Sequence, residues 1–397
     1  MSVEGVSIII CCYNSQSRLQ KTLQHVADML LGGDLRLELV LVDNCCTDGT
    51  VQLVQQWHCQ WQHKLQLQVV REPRPGLTSA RIAGVKAAGF ETLIFCDDDN
   101  WLAANYCDVA HQLLQAHPRV ALAGGCSYAV PEITPPDWFW PLSGAWAVGD
   151  SDNCGLLSGP DAFVRGAGMV VRRSAFLELL QTGFQFITSD RRGSSLNSGG
   201  DAEICRELAR LGYDLYFDSR LRLQHWIPKE RLTRSYALRL WQGFGAGTIA
   251  GDADRIVSHP HQVWKNTIRL SCIYQCFRCL LNLGGLLGQH PLWHRQNPAP
   301  ALRWCSMYGR FQALRQLGRT YRKKMVLHPN LWVKSVVLKL RSGSANGGGP
   351  PLFASPSHRL RCEGDATERR TGLGPFIGGP ENWTSVVFGG KHLAGLS

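Results

Sequence analysis

The sequence predicts an α/β fold: a mostly parallel sheet with helices on both faces, followed by a C-terminal helical segment. Three observations carry that prediction. Continuous apolar runs alternate with amphipathic stripes from Val6 to Asp99, the pattern of strands buried on both faces and joined by crossover helices. The runs end on polar residues, at Asn14, at Asp43 and at Asp97 to Asp99. Beyond Tyr236 helical stripes dominate and basic residues accumulate.

The elements follow in order. "VSIIICCYN" reads as a buried strand ending at Tyr13 and Asn14. Leu19, Leu23, Val26 and Leu30 then form one helical stripe. "LELVLVD" is a second buried strand, and the turn Thr47-Asp48-Gly49-Thr50 leads into a helix carrying Val51, Val54 and Trp57. "LQLQVV" alternates as a third strand. Thr78 or Ser79 is the expected cap of a helix ending near Gly89. "TLIFC" is a fourth buried strand, running straight into Asp97. Residues 138–168, rich in Gly, Pro and Trp, read as loops over a cleft. "GGDAEICRELARLGY" reads as a helix beginning at Asp201, and "LYFDSRLRLQHW" as a returning strand. Three units are expected: a catalytic domain over 1–235, a basic helical region over 236–341, and a Gly-, Ser- and Pro-rich tail over 342–397 read as disordered.

Composition narrows the setting. The 397 residues are 44% hydrophobic and 18% charged, enough to bury a sizeable core. A net charge of +11 favours anionic partners, whether nucleotide, phospholipid surface or nucleic acid. The apolar run behind the N-terminus is too short, and lacks a basic flank, for a secretory signal. The 15 cysteines are therefore expected to be reduced, in a cytoplasmic protein. No uncharged stretch reaches the roughly 18 residues of a spanning helix; Leu270 to Leu287 comes nearest and is interrupted by Arg278.

Asp97, Asp98 and Asp99 carry the strongest chemical signal. Adjacent carboxylates at the end of a buried strand repel each other unless a cation neutralises them. Hard divalent cations, Mn²⁺ or Mg²⁺, take such ligands and share them with substrate phosphates. The competing reading is a solvated acidic turn or a helix cap. In open α/β sheets ligands sit beyond the carboxyl ends of the strands, where Asn14, Asp43 and the aspartate run all fall.

"VSIIICCYNSQSRLQKTL", "LVLVDNCCTDGT", "GLTSARIAGVKAA" and "LIFCDDDN", in that order, resemble the inverting family 2 glycosyltransferases of the GT-A fold. The resemblance covers roughly the first 230 residues. It departs at Cys11 and Cys12, where the family usually has Pro-Thr or a close relative. It implies that Tyr13 flanks the nucleobase, with Asn14 beside it, and that Asp43 accepts hydrogen bonds from base or ribose. Arg81 is to approach the nucleotide phosphate or the aspartates. Asp97 and Asp98 serve the nucleotide and sugar side, and Asp99 binds the metal. Asp201 becomes the general base that an inverting displacement needs, with Gly200 in place of the family's glutamate. Glu203 is the alternative base or an acceptor contact. His225 completes the metal site with Asp99 and Asp97. Each has a plainer reading: a core aromatic for Tyr13, a helix cap for Asp43 and Asp201, a surface ion pair for Arg81, a structural imidazole for His225.

The expected partners are a nucleotide diphosphate sugar as donor and a carbohydrate or lipid-linked acceptor. An anionic membrane surface, at the inner face, is a further expected partner, and nucleic acid is not one. Trp138, Phe139 and Trp140 are candidates for a sugar platform. Cys272, Cys276 and Cys279 have a spacing met in iron–sulfur enzymes, but i, i+4, i+7 is also one face of an apolar helix, and that reading is preferred. "RLWQGFG" is not the Gln-x-x-Arg-Trp motif of processive synthases, so a single addition is expected. Two alternatives stand beside this reading. A nucleotidyltransferase should carry a Gly-rich loop after the first strand, unlike "CCYNSQSRL"; a non-catalytic binding relative would lack the base.

Overall fold

The structure, a computed structural model, describes residues 4–29, 35–61, 65–152, 154–159, 162–187, 191, 196–252, 271–287, 298–318 and 320–321. Leu30, Leu270, Arg319, Arg322, Lys323, Lys324 and the tail from residue 342 lie outside the described residues.

Four strands and three helices build the first half. These are β1 (Gly5–Cys12), α1 (Leu19–Ala27), β2 (Arg36–Asp43), α2 (Thr50–Trp61), β3 (Leu65–Arg71), α3 (Leu77–Ala87) and β4 (Thr92–Cys96). All three pairings among these strands are parallel, in the order β3-β2-β1-β4. The helix-period and strand-period readings of the sequence hold over this span. One detail differs: α3 is preceded by Gly76, with no side-chain cap, and Thr78 and Ser79 lie inside its first turn.

The sheet then continues through β5 (Asn100–Leu102), α4 (Tyr106–Ala116), β6 (Val120–Pro131), β7 (Gly155–Leu157), β8 (Met169–Arg172), α5 (Arg173–Gln181), α6 (Gly200–Arg210) and β9 (Asp214–Ile227). The strand order extends as β4-β8-β6-β9-β5, with β7 on β9. β8 runs antiparallel to both β4 and β6, while β6 and β9 are parallel.

Alternation along the central strands makes two cores. Val6, Ile8, Ile10 and Cys12 point to one face, under α1 and α4. Ile9, Val40 and Val42 point to the other, under α3, α5 and α6. Helices therefore cover both faces, as a parallel sheet requires. Burying each isoleucine of β1 contributes about 1.5–3 kcal/mol. Close packing also fixes where α3 lies: a Cβ on Gly84 would meet Ile9 Cγ2 at 2.4 Å and Val42 Cγ2 at 3.2 Å. Only glycine allows this approach, and it sets the height of Arg81, one turn earlier on the same helix.

Past β9 come α7 (Arg234–Gly247), α8 (Cys272–Leu287) and α9 (Ala299–Leu317). A third core joins Ile227, Leu232, Tyr236, Leu240 and Trp241 to Phe139 and Trp146, and to Leu302 of α9. Cys272, Cys276 and Cys279 lie on the face of α8 that packs toward Leu314, as the helical reading of their spacing predicts. No helix among the described residues is long and apolar enough to cross a membrane. All 14 cysteines of the described residues are free.

Candidate active site

The chain passes from β1 outward through β2 and β3, then returns to add β4 on the other side of β1. Strand order reverses there, so a crevice is expected beyond the carboxyl ends of β1 and β4. Cys12 is level with Asp43, and Ile10 with Cys96, so the residues that follow share one edge. Tyr13, Asn14, Asp43 and Asp97 all lie on that edge.

Tyr13 is 48% exposed, which removes the core-aromatic reading. Asn14 has φ 52°, a left-handed conformation that asparagine tolerates better than most residues. Its Oδ1 accepts from the Thr47 N–H at 2.8 Å, binding the turn after β1 to the turn after β2. Asp43 does not cap α2. Its Oδ1 accepts from the Cys46 N–H at 2.8 Å, closing a turn at the strand end, and Asp48 makes the bonds to Thr50.

The three aspartates of the run face three ways. Asp97 is half-buried at the end of β4. Burial pushes its carboxyl up to about 6; Arg81 opposes this shift, and Asp99 and Asp98 add to it. Asp98 turns toward α1, where it accepts from the Ser15 hydroxyl and, at 2.6 Å, from the Arg18 guanidinium. Asp99 is 3% exposed and turns toward β9. It pairs with Arg231 at 2.7 Å and lies 3.5 Å from His225 Nε2. Burial alone would raise its carboxyl, but Arg231 and His225 outweigh burial and hold it well below the usual carboxylate range. His225 is held level with Asn100 by the β5–β9 pairing, and its Nδ1 is buried without a hydrogen-bond partner.

Arg81 is 3% exposed and its guanidinium lies 5.0 Å from the centre of the Phe95 ring. It forms an ion pair with Asp201. The second oxygen of Asp201 accepts from the Gly166 N–H at 2.9 Å. Asp201 is not a helix cap: it lies in the first turn of α6, behind Gly199. A Cβ on Gly166 would meet Asp201 Oδ2 at 2.4 Å and Arg81 Nη2 at 2.5 Å, so glycine leaves the room for the pair. Glu203, two residues on, is 2% exposed and accepts from the Ile187 N–H at 2.7 Å. The side chain of Asp201 is 27% exposed, so of the two carboxylates it is the one open to a ligand.

Three of the candidate carboxylates are thus matched to an arginine: Asp98 to Arg18, Asp99 to Arg231, Asp201 to Arg81. Arg18, Arg231 and Gly166 were absent from the sequence expectations. The signal for the arginines was electrostatic: clustered carboxylates at a strand end demand cations, and "RL" after "NSQS" and "KERL" after His225 supply them. Two thiols at this edge, those of Cys11 and Cys96, are held in the neutral form by burial, which pushes Cys11 up to about 12 and raises Cys96 well above its usual value. The expected aromatic platform is broken up. Phe139 is fully buried against Trp146, Trp138 is half-buried, and only Trp140 is largely exposed, at 54%.

An implied divalent cation can be tested against these donors. Among the described residues no group of three or more His, Cys, Asp or Glu side chains could hold a metal ion. Asp99 and His225 are adjacent, however, and a cation that keeps few protein ligands takes the rest from substrate phosphates. Asp99 and His225 are the donors that fit such a shared cation; Asp99 is paired with Arg231 in this structure, and the expected grouping with Asp97 is not formed among the described residues.

Residues 7–180 match the model of glycosyl transferase family 2. EpsH of Bacillus subtilis (strain 168), a protein described as a glycosyltransferase, is 21% identical over 108 residues, covering 27% of this chain and 30% of EpsH. Among solved structures, TarS 1–349 of S. aureus is similar at 15% identity and a TM-score of 0.41, covering 78% of this chain and 91% of that one. Mannosyltransferase PcManGT of Pyrobaculum calidifontis, solved with GDP-Man and Mn²⁺, is similar at 20% identity and a TM-score of 0.45, covering 85% and 87%.

Proposed function

We propose, from the premise that residues 7–180 belong to glycosyl transferase family 2, that this chain transfers a sugar from a nucleotide diphosphate donor to an acceptor hydroxyl, with inversion at the anomeric carbon. The observation that carries the reading is the Arg81–Asp201 pair, whose guanidinium also acts electrostatically on Asp97 at the carboxyl end of β4. Tyr13 offers an exposed ring to the base, and Asp43 a carboxylate to the base or ribose. Asp97 faces the donor, while Asp98 steadies the edge through Ser15 and Arg18.

Asp201 takes the acceptor's proton. Its two oxygens each hold one contact, and each carboxylate oxygen has a second lone pair to offer. As the acceptor oxygen bonds to the anomeric carbon, the bond to the diphosphate breaks and the electron pair leaves with the phosphate. A cation at Asp99 and His225 would supply charge to that leaving group. Arg81 holds Asp201 in place and keeps a positive charge next to Asp97.

The acceptor is read as a carbohydrate or lipid-linked sugar, in polysaccharide or glycoconjugate synthesis at an anionic membrane surface. Calorimetric titration with a panel of nucleoside diphosphates, with and without Mn²⁺, tests the donor site. One nucleotide should bind, and more tightly with Mn²⁺. Binding of none would overturn the reading.

A further inference from the structure

α8 presents an apolar face outward. Ile273, Phe277, Leu280 and Leu281 are 82%, 57%, 51% and 60% exposed. Their spacing places them on one stripe of the helix. The opposite face is fixed in the fold: Cys279 and Leu283 are buried, and Cys272 donates to the Leu314 carbonyl at 3.1 Å. A buried polar network holds that side. Arg310 pairs with both oxygens of Asp252 at 2.8 Å and reaches Gln275 of α8 at 3.2 Å, while the Tyr321 hydroxyl donates to Asp252 at 2.7 Å. The outward stripe is therefore held in one orientation by the rest of the molecule.

The charge around this helix is one-sided. Between Asp254 and Glu363 the sequence has 17 Lys or Arg and no acidic residue. The rest of the chain carries 25 basic and 31 acidic side chains, so the whole excess of positive charge comes from this segment. An exposed apolar stripe on a helix too short to span, within a purely basic stretch, combines the two features that hold a helix in the plane of an anionic bilayer.

We propose that the outward face of α8 docks on an anionic lipid membrane, with Phe277 and Leu281 entering the acyl boundary and the net positive charge of the surrounding sequence drawing the helix to the headgroups. The proposal deepens the membrane reading given above by naming the face, and it is independent of the catalytic reading. Flotation of the full chain with neutral and with phosphatidylglycerol-containing vesicles tests it. Nucleotide binding, measured on the same samples, reports the catalytic domain separately. The protein should float with anionic vesicles only, and less at 300 mM salt than at 50 mM as screening shortens the attraction. The double substitution Phe277→Ser/Leu281→Ser, at exposed positions, should weaken vesicle binding by about tenfold or more and leave nucleotide affinity unchanged. Ile273→Ser should act in the same direction. Three results would overturn the proposal: no flotation at low salt, flotation unaffected by the substitutions, or a dimer in sedimentation that the same substitutions dissolve, which would make a second copy the occupant.

Discussion

Arg81 of α3 and Asp201 of α6 form an ion pair across 120 residues of sequence, with the guanidinium against Phe95 and the carboxylate against the Gly166 N–H. The pair ties α3, whose Arg81 acts electrostatically on Asp97, to the first turn of α6. Five strands and the helices α4 and α5 intervene in a folding pattern that places α3 and α6 on the same face of the sheet.

Gly166→Ala tests the room left for that pair. The added methyl would fall within 2.4–2.5 Å of both side chains, which must move apart. Overpacking of this kind costs about 1–3 kcal/mol. A folded variant with a modest loss in urea midpoint and a large loss of transfer is expected. Normal transfer would show that the pair's placement does not matter.

Asp97 gives a pH signature. Its carboxyl stays protonated in the folded protein up to about 6, whereas an unfolded one ionises near 3.9. The folded state therefore binds more protons in between, and stability falls as pH rises through that window. Asp97→Asn, which cannot ionise, should be more stable than the parent at pH 7.5 in EDTA, by on the order of 2 kcal/mol. The difference should vanish as pH falls toward 4, and denaturant titrations at several pH values would show it. A constant difference across that range would contradict the assignment.

Arg231→Ala should leave Asp99 buried beside His225 without its principal cation. Breaking such a pair costs about 3 kcal/mol. If Asp99 and His225 accept a divalent cation, Mn²⁺ should restore part of the lost melting temperature in the variant, and more than it adds to the parent. An equal Mn²⁺ effect in both proteins would argue against a cation at this position.

Much of the fold was legible because continuous apolar runs such as "SIIICC" and "TLIFC" admit few readings other than buried strands. The carboxyl-edge residues were legible for the same reason, since each follows directly on such a run. What escaped the sequence was pairing between distant segments. β8 inserts antiparallel between β4 and β6, out of chain order, and nothing local encodes that. Arg18 and Arg231 were missed because a lone arginine in a helix start or a loop reads as surface charge until its partner is in place. Phe139 was read as a platform because local composition cannot distinguish a cleft wall from a core closed by Trp146, Tyr236 and Trp241.

Tyr13→Ala tests the base platform. Stacking of a base on an aromatic ring contributes about 1–3 kcal/mol, so nucleotide affinity should fall by about tenfold, with little change in stability because the ring is 48% exposed. An unchanged dissociation constant would move the base elsewhere on the edge.

Asp201→Asn separates binding from chemistry. The substitution keeps the shape of the side chain and its contact with the Gly166 N–H, and removes the charge that accepts a proton. With nucleotide affinity and sugar transfer measured on the same preparation, donor affinity should stay close to that of the parent. Transfer should fall by about 10²–10⁴-fold, the usual contribution of a positioned general base. Transfer at the parental rate would contradict the assignment of Asp201 as the base.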